Sequence, residues 1–187
     1  MRLVSLVLLF TGWVAQAQTL ENFTLTNATD NKKISLSSYS ASPGVVIIFT
    51  SNACPFDRHY TDRILKLADS YAGKIPVVLI NAHTDTEESI EAMKVHAAQH
   101  KFTMPYLADK DQTVVNQFNA RKSPEAFLLK VNNGKFTIAY RGAIDDNAQS
   151  ANDVIHTYLK DAIEQLLAGQ KIQTTETRPV GCNLRRN

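Results

Sequence analysis

A chain of 187 residues, 44% hydrophobic and 20% charged, is long enough to bury one apolar core without staples, and its composition excludes long disorder, fibrous repeats and a coiled coil. With 20 Lys and Arg against 18 Asp and Glu the net charge is +2, too weak a field for a nucleic-acid-binding surface. The two cysteines, Cys54 and Cys182, allow at most one intramolecular disulfide.

The chain opens with Arg2, an apolar stretch from Leu3 to about Val14, and Ala15-Gln16-Ala17. The stretch is short of the roughly 20 residues that span a bilayer, and the small-x-small triplet reads as the cleavage site of a secretory signal. The expectation is a signal over residues 1–17, a folded domain over 18–169 and a polar tail over 170–187 that carries Cys182. The mature chain is then periplasmic or extracellular, without membrane attachment, where disulfides persist.

Phe23-Thr24-Leu25-Thr26 and Lys33-Ile34-Ser35-Leu36 alternate with period two around the turn-rich Asn27 to Asn31, which predicts a hairpin covering one edge of a sheet. Pro43-Gly44 breaks the chain. Val45-Val46-Ile47-Ile48-Phe49 then forms a continuous apolar run, as a strand buried on both faces requires. Beyond Pro55, the positions Tyr60, Ile64, Leu67, Ala68 and Tyr71 recur at helical spacing up to Gly73, predicting an amphipathic helix with proline in its first turn. Val77 to Ile80 is a second buried run, and Glu87-Glu88 are expected to open a helix through Ile90, Met93, Ala97 and Ala98.

Met104 to Leu107 reads as a brief strand or turn, and Val114, Val115 and Phe118 as a short helix. Two strand-like runs, Ala126 to Leu129 and Phe136 to Tyr140, flank Asn132-Asn133-Gly134, and Asn-Gly is a strong hairpin signal. A last amphipathic helix is expected from Val154 through Tyr158, Ala162, Ile163, Leu166 and Leu167 to Gly169. The sum is an α/β fold: a central mixed sheet with helices on both faces and an N-terminal β-hairpin.

Cys54 stands where a buried strand gives way to a helix, and the unpaired N–H groups and positive dipole end of such a junction favour an anion. A thiolate is that anion, and it is the reactive form of cysteine. Arg58 and His59 lie one turn further on. Ser51 precedes Cys54 by three residues, giving Ser-x-x-Cys, so no local two-cysteine disulfide can close and a dithiol cycle must recruit Cys182 or an external thiol,. Ser51 is either a hydrogen-bond donor to the sulfur or to a peroxide oxygen, or a serine that starts the helix. Cys182 is a resolving thiol, half of a structural disulfide, or free. His96 and His100 are one turn apart without a third ligand, so neither a metal nor a cofactor is expected,. Asp145 and Asp146 read as loop acids, and Asn22 and Asn27 sit in glycosylation-acceptor triplets,.

Thr50-Ser51-Asn52-Ala53-Cys54-Pro55 with Tyr60, then Ser123-Pro124-Glu125-Ala126-Phe127, Tyr140 to Asp146, and the terminal Gly181-Cys182 together resemble the peroxiredoxin-like branch of the thioredoxin superfamily. The resemblance covers most of the chain from about Phe23. It implies a thioredoxin-like fold in which Ser51 takes the Ser/Thr-x-x-Cys position, and Pro124 is a cis-proline facing Cys54. The chain departs from typical peroxiredoxins at Ile47, where they carry proline, and at the strand that supplies their arginine, where the sequence offers Arg121 or Arg141 as a substitute and does not choose between them.

The resulting expectation is an exported thiol-dependent oxidoreductase. Cys54 attacks a peroxide or a protein disulfide, with Ser51 and the helix N–H groups holding the anionic sulfur. Ser123, Pro124, Pro55 and Arg141 shape the substrate groove, and Cys182 or an external thiol reductant restores the reduced state. The rival expectation is a non-catalytic binding module whose Cys54 is inert or locked to Cys182.

Overall fold

The computed structural model describes residues 19–186; the expected signal lies outside them. In chain order the elements are β1 (Thr19–Leu20), β2 (Thr24–Asn27), β3 (Lys33–Ser35), β4 (Gly44–Phe49), α1 (Pro55–Ser70), β5 (Val77–Asn81), α2 (Ile90–Gln99), β6 (Tyr106–Ala108), α3 (Thr113–Phe118), β7 (Lys122–Ser123), β8 (Glu125–Asn132), β9 (Lys135–Gly142), α4 (Tyr158–Leu167) and β10 (Cys182–Asn183). Among the described residues, ten strands form an eight-stranded sheet of order β1-β9-β8-β4-β5-β6-β2-β3 and a separate pair, β10-β7.

The two continuous apolar runs are the central parallel neighbours, with Val46 opposite Val77 and Phe49 opposite Ile80. On the other side, β8 is antiparallel to β4 and to β9. Period-two alternation divides β4 between two cores. Val46 and Ile48 face a cluster with Tyr60 and Ile64 of α1, Met93 of α2 and Leu159 and Ile163 of α4. Val45, Ile47 and Phe49 face a second cluster with Val114, Val115 and Phe118 of α3,. Helices therefore cover both faces, and β2 and β3 form the predicted edge hairpin.

Two expectations are corrected. Glu87 and Glu88 do not open α2. They belong to a single 3-10 turn, and α2 begins after Ser89, whose Oγ accepts from Ala92 N, because a serine N-cap competes better for the helix start than a pair of acids. Val154 lies before α4, which begins at Tyr158; Asp146 instead holds the preceding loop by accepting from Ile155 N. The tail is docked rather than loose. Arg141 N donates to Thr175 O and Arg141 O accepts from Thr177 N, Leu184 N donates to Arg121 O, and Leu184 is buried in the second cluster.

Asn27 is also structural. Its side chain accepts from Tyr106 N and donates to Thr29 and Asp30, so this acceptor triplet is consumed by the fold.

Candidate functional site

The junction from β4 to α1 is built by two buried carboxylates. Asp57, in the first turn of α1, accepts from Thr50 Oγ1 and Ser123 Oγ, each at 2.6 Å, and from the Ser51 amide. Glu88 arrives from the turn before α2. It accepts from Ser51 Oγ, Asn52 N at 2.8 Å, Ala53 N at 3.1 Å and Asn81 Nδ2 at 2.6 Å. Ser51 Oγ in turn accepts from Cys54 N at 3.1 Å, as a capping serine does. Every amide of residues 51–54 is thereby committed.

The two acids are shifted in opposite directions. Burial pushes the Asp57 carboxyl up to about 7, against the hydrogen bonds from Ser123, Thr50 and the Ser51 amide. Burial also raises Glu88, but its hydrogen bonds from Ser51, Asn52, Asn81 and Ala53 together outweigh this and leave it below the usual carboxylate range,. Glu88 is thus an anion seated where the sequence predicts the thiolate to draw its amides.

Cys54 is bonded to Cys182, with S–S 2.01 Å and Cα–Cα 6.0 Å across 128 positions of sequence. In the described state Cys182 is therefore not a free thiol. Cys54 is 3% exposed, and its Sγ lies 3.3 Å from the Ser123 carbonyl oxygen, a contact in the disulfide and a hydrogen bond once the sulfur carries a proton. In the disulfide state Ser51 does not donate to the sulfur. The Ser51 proton goes to Glu88 and the loop amides go to Glu88, Asp57 and Ser51.

The remaining predicted residues divide. The Ser123-Pro124 peptide is cis, and β10 lies along it, Cys182 paired with Ser123 and Asn183 with Lys122. Pro55 lines the cleft of about 410 Å³ that holds both cysteines, with His83, Asp85, Glu88 and Arg185. Arg141 does not reach it. Arg141 pairs with Glu176 at 3.3 Å and, with Arg121 and Arg178, lines a second cleft on the other side of the tail, because the docked tail stands between β9 and the sulfurs.

Sequence reasoning missed Glu88, Asp57 and His83 as site residues. Asp57 had a signal, its place three residues after the cap position. Glu88 had none, since only the fold carries it to Ser51. His83 lines the cleft with its Nε2 buried and unpartnered among the described residues. Burial holds its imidazole below the usual range, while the Glu88 and Asp85 carboxylates pull it upward.

Two solved structures resemble the whole chain. An uncharacterized conserved protein from Geobacillus kaustophilus is 26% identical with TM-score 0.82, covering 91% of this chain and 92% of that one. A hypothetical protein from Sinorhizobium meliloti is 28% identical with TM-score 0.81, covering 92% and 94%. A peroxidoxin from Mycobacterium tuberculosis shares the thioredoxin-like fold at 20% identity and TM-score 0.60, covering 81% and 96%. No curated protein gives a significant match. The AhpC/TSA family model matches residues 17–146, and with this fold, this cysteine and this proline in place the chain belongs to the AhpC/TSA family.

Proposed function

We propose that this chain is an exported thiol oxidoreductase whose Cys54 reacts with a peroxide or a disulfide and whose Cys182 is the resolving thiol. The observation that carries the reading is the Cys54–Cys182 bond, which joins the only two cysteines of the chain across the start of α1 beside Pro124. With a peroxide, Cys54 takes one oxygen as a sulfenic acid, and Cys182 condenses with it to form the disulfide and release water. With a disulfide, Cys54 forms a mixed disulfide that Cys182 then displaces. An external thiol closes either cycle, and no cofactor is invoked. Loss of hydroperoxide and of a test disulfide, followed with the mature chain and with Cys54→Ser, tests the reading; equal rates remove it.

A second reading has its own support. The loop amides of residues 51–54 serve Glu88, Asp57 and Ser51 instead of the sulfur, as suits a binding module stapled permanently by its disulfide. Alkylation after mild reduction separates the two: a cycling pair takes two labels and loses them on reoxidation, whereas a permanent staple resists reductant until the chain unfolds. Export rests on Ala15-Gln16-Ala17, and N-terminal sequencing of the protein from its native culture is expected to start at Gln18.

A further inference from the structure

The cleft of about 420 Å³ on the other side of the tail shares no lining residue with the cleft that holds the sulfurs. Period two builds it. Arg141 is the register partner of Phe127 across β8 and β9, and Glu125 lies two residues before Phe127, so Arg141 and Glu125 share one face of the sheet. The tail is laid along β9 with Glu176 bridged to Arg141. Thr177 turns to the opposite face, its hydroxyl joined to Tyr140 OH and accepting from Ala143 N, which returns Arg178 to the face of Arg141. The seat is tight. A Cβ on Gly142 would stand 2.3 Å from the Thr177 carbonyl oxygen, and one on Gly181 would stand 2.2 Å from that of Ser123. Arg121, Lys122, Arg141 and Arg178 thus line one cleft against Glu125 and Glu176, in a chain whose net charge is only +2.

The two acids do not answer this charge. Glu125 is buried, and its Oε2 accepts from the amides of Arg121 at 2.6 Å and Lys122 at 2.9 Å, so it serves the backbone beneath the cations. Glu176 pairs with Arg141 at 3.3 Å, an exposed pair of small worth. Lys122 Nζ donates to Asn183 Oδ1 at 2.7 Å. Arg121 and Arg178 are exposed, and neither guanidinium has an ion-pair or hydrogen-bond partner among the described residues. We propose that this cleft is a binding site for a small, multiply charged oxyanion of the phosphate class, held by Arg121 from the β7 side, Arg178 from the tail and Arg141 from β9. The planar guanidinium fork meets the oxygens of such an anion two at a time, which an ammonium cannot do. The volume lies in the range of small-ligand sites, and a concave site suits a soluble phosphate better than a flat lipid surface. One wall belongs to the tail, so the site is complete only while the tail is seated on β9. The assignment goes beyond the thiol chemistry and does not depend on it.

Calorimetric titration of the oxidised full chain with inorganic pyrophosphate at fixed ionic strength tests the assignment. One-to-one binding is expected, weakened about tenfold or more by Arg121→Ala and by Arg178→Ala, as the loss of a charge-assisted hydrogen-bonded pair implies. Lys94 is exposed on α2 and absent from the cleft lining. Lys94→Ala removes the same unit of charge and is expected to leave the affinity within about twofold, because salt screens a distant charge. No binding, or an arginine variant that binds as tightly as wild type, overturns the proposal. An equal loss in Lys94→Ala overturns it too, since net charge alone would then govern the affinity. A second measurement needs no variant. Phenylglyoxal labels accessible arginines, and pyrophosphate at ten times its dissociation constant is expected to slow labelling of Arg121 and Arg178 by about tenfold, with exposed Arg58 labelled at an unchanged rate, all read by peptide mass. Equal labelling of Arg121 and Arg178 with and without pyrophosphate overturns the site. Vesicles of phosphatidic acid that hold the chain while free pyrophosphate does not would assign the cations to a lipid surface and overturn it as well.

Discussion

The hydroxyl of Ser51 donates to the carboxylate of Glu88, 37 positions away in sequence. This one bond reassigns the loop before Cys54, because the serine and the amides of Asn52 and Ala53 serve a buried carboxylate instead of the sulfur. A resident anion repels a second one nearby. Glu88→Gln is therefore expected to raise the alkylation rate of reduced Cys54 at neutral pH about threefold to tenfold. The same change sets an amide donor against other donors and is expected to lower the stability of the oxidised protein by about 1–3 kcal/mol, read by urea denaturation.

Asp57 gives a pH dependence of defined sign. Its folded carboxyl is pushed up to about 7 from 3.8 by burial, so between those values the folded state holds a proton that the unfolded chain has lost, and stability falls as pH rises. Glu88 has the opposite sign. Its depressed folded value contributes stability that is present above the unfolded carboxyl range and lost as pH falls through the folded value,. Asp57→Asn removes only the first effect. Relative to wild type it should gain on the order of 4 kcal/mol from about pH 4 to about pH 7 at most, measured by urea melts across that range; a gap that does not move with pH would contradict the burial argument.

Much of this architecture was legible because its signals are local. The runs Val45 to Phe49 and Val77 to Ile80 are apolar at every position, as the centre of a two-faced parallel sheet requires,, and Asn133-Gly134 marked the β8-β9 hairpin,. Cys54 and Pro124 were found by motif, and both meet β10. Glu88 escaped because its partners are set by the fold, and a glutamate beside a helix looks the same in sequence whether it faces water or four donors. The tail escaped for a related reason. Its polar composition reads as unanchored, yet it is fixed by backbone pairing, Gly181, Cys182 and Leu184, and only the last two carry any side-chain signal.

Leu184 bears on how well the tail presents Cys182. It is 8% exposed and packs in the second cluster, and truncating a buried leucine costs about 2–5 kcal/mol. Leu184→Ala is expected to lower the effective concentration of Cys182 at Cys54 by at least about tenfold, read as the glutathione ratio at which the disulfide opens. The fold itself should survive, because Leu184 lies at the rim of that cluster.

The buried ion pair that follows β9 carries an independent test. Arg63 Nη1 lies 2.7 Å from Asp145 Oδ2, Tyr60 OH donates to Asp145 Oδ1 at 2.8 Å, and both ion-pair side chains are largely buried. Asp145 is thus no ordinary loop acid. Asp145→Ala removes the acceptor of the Tyr60 phenol and the charge partner of the Arg63 guanidinium, which keeps only the Asn147 and His59 carbonyls, and is expected to cost about 3–5 kcal/mol by urea denaturation.

The account turns on whether the Cys54–Cys182 bond is made and broken by turnover. Reduced full-length protein mixed with one equivalent of hydrogen peroxide or of a small aromatic disulfide, acid-quenched over time and mapped by peptide mass, reads this directly. The expected result is loss of the oxidant matched by the appearance of the linked Cys54 and Cys182 peptides, with Cys182→Ser arrested at a Cys54 sulfenic acid or adduct. Neither oxidant reacting at Cys54, or a Cys54–Cys182 link that forms without consuming either, would contradict it.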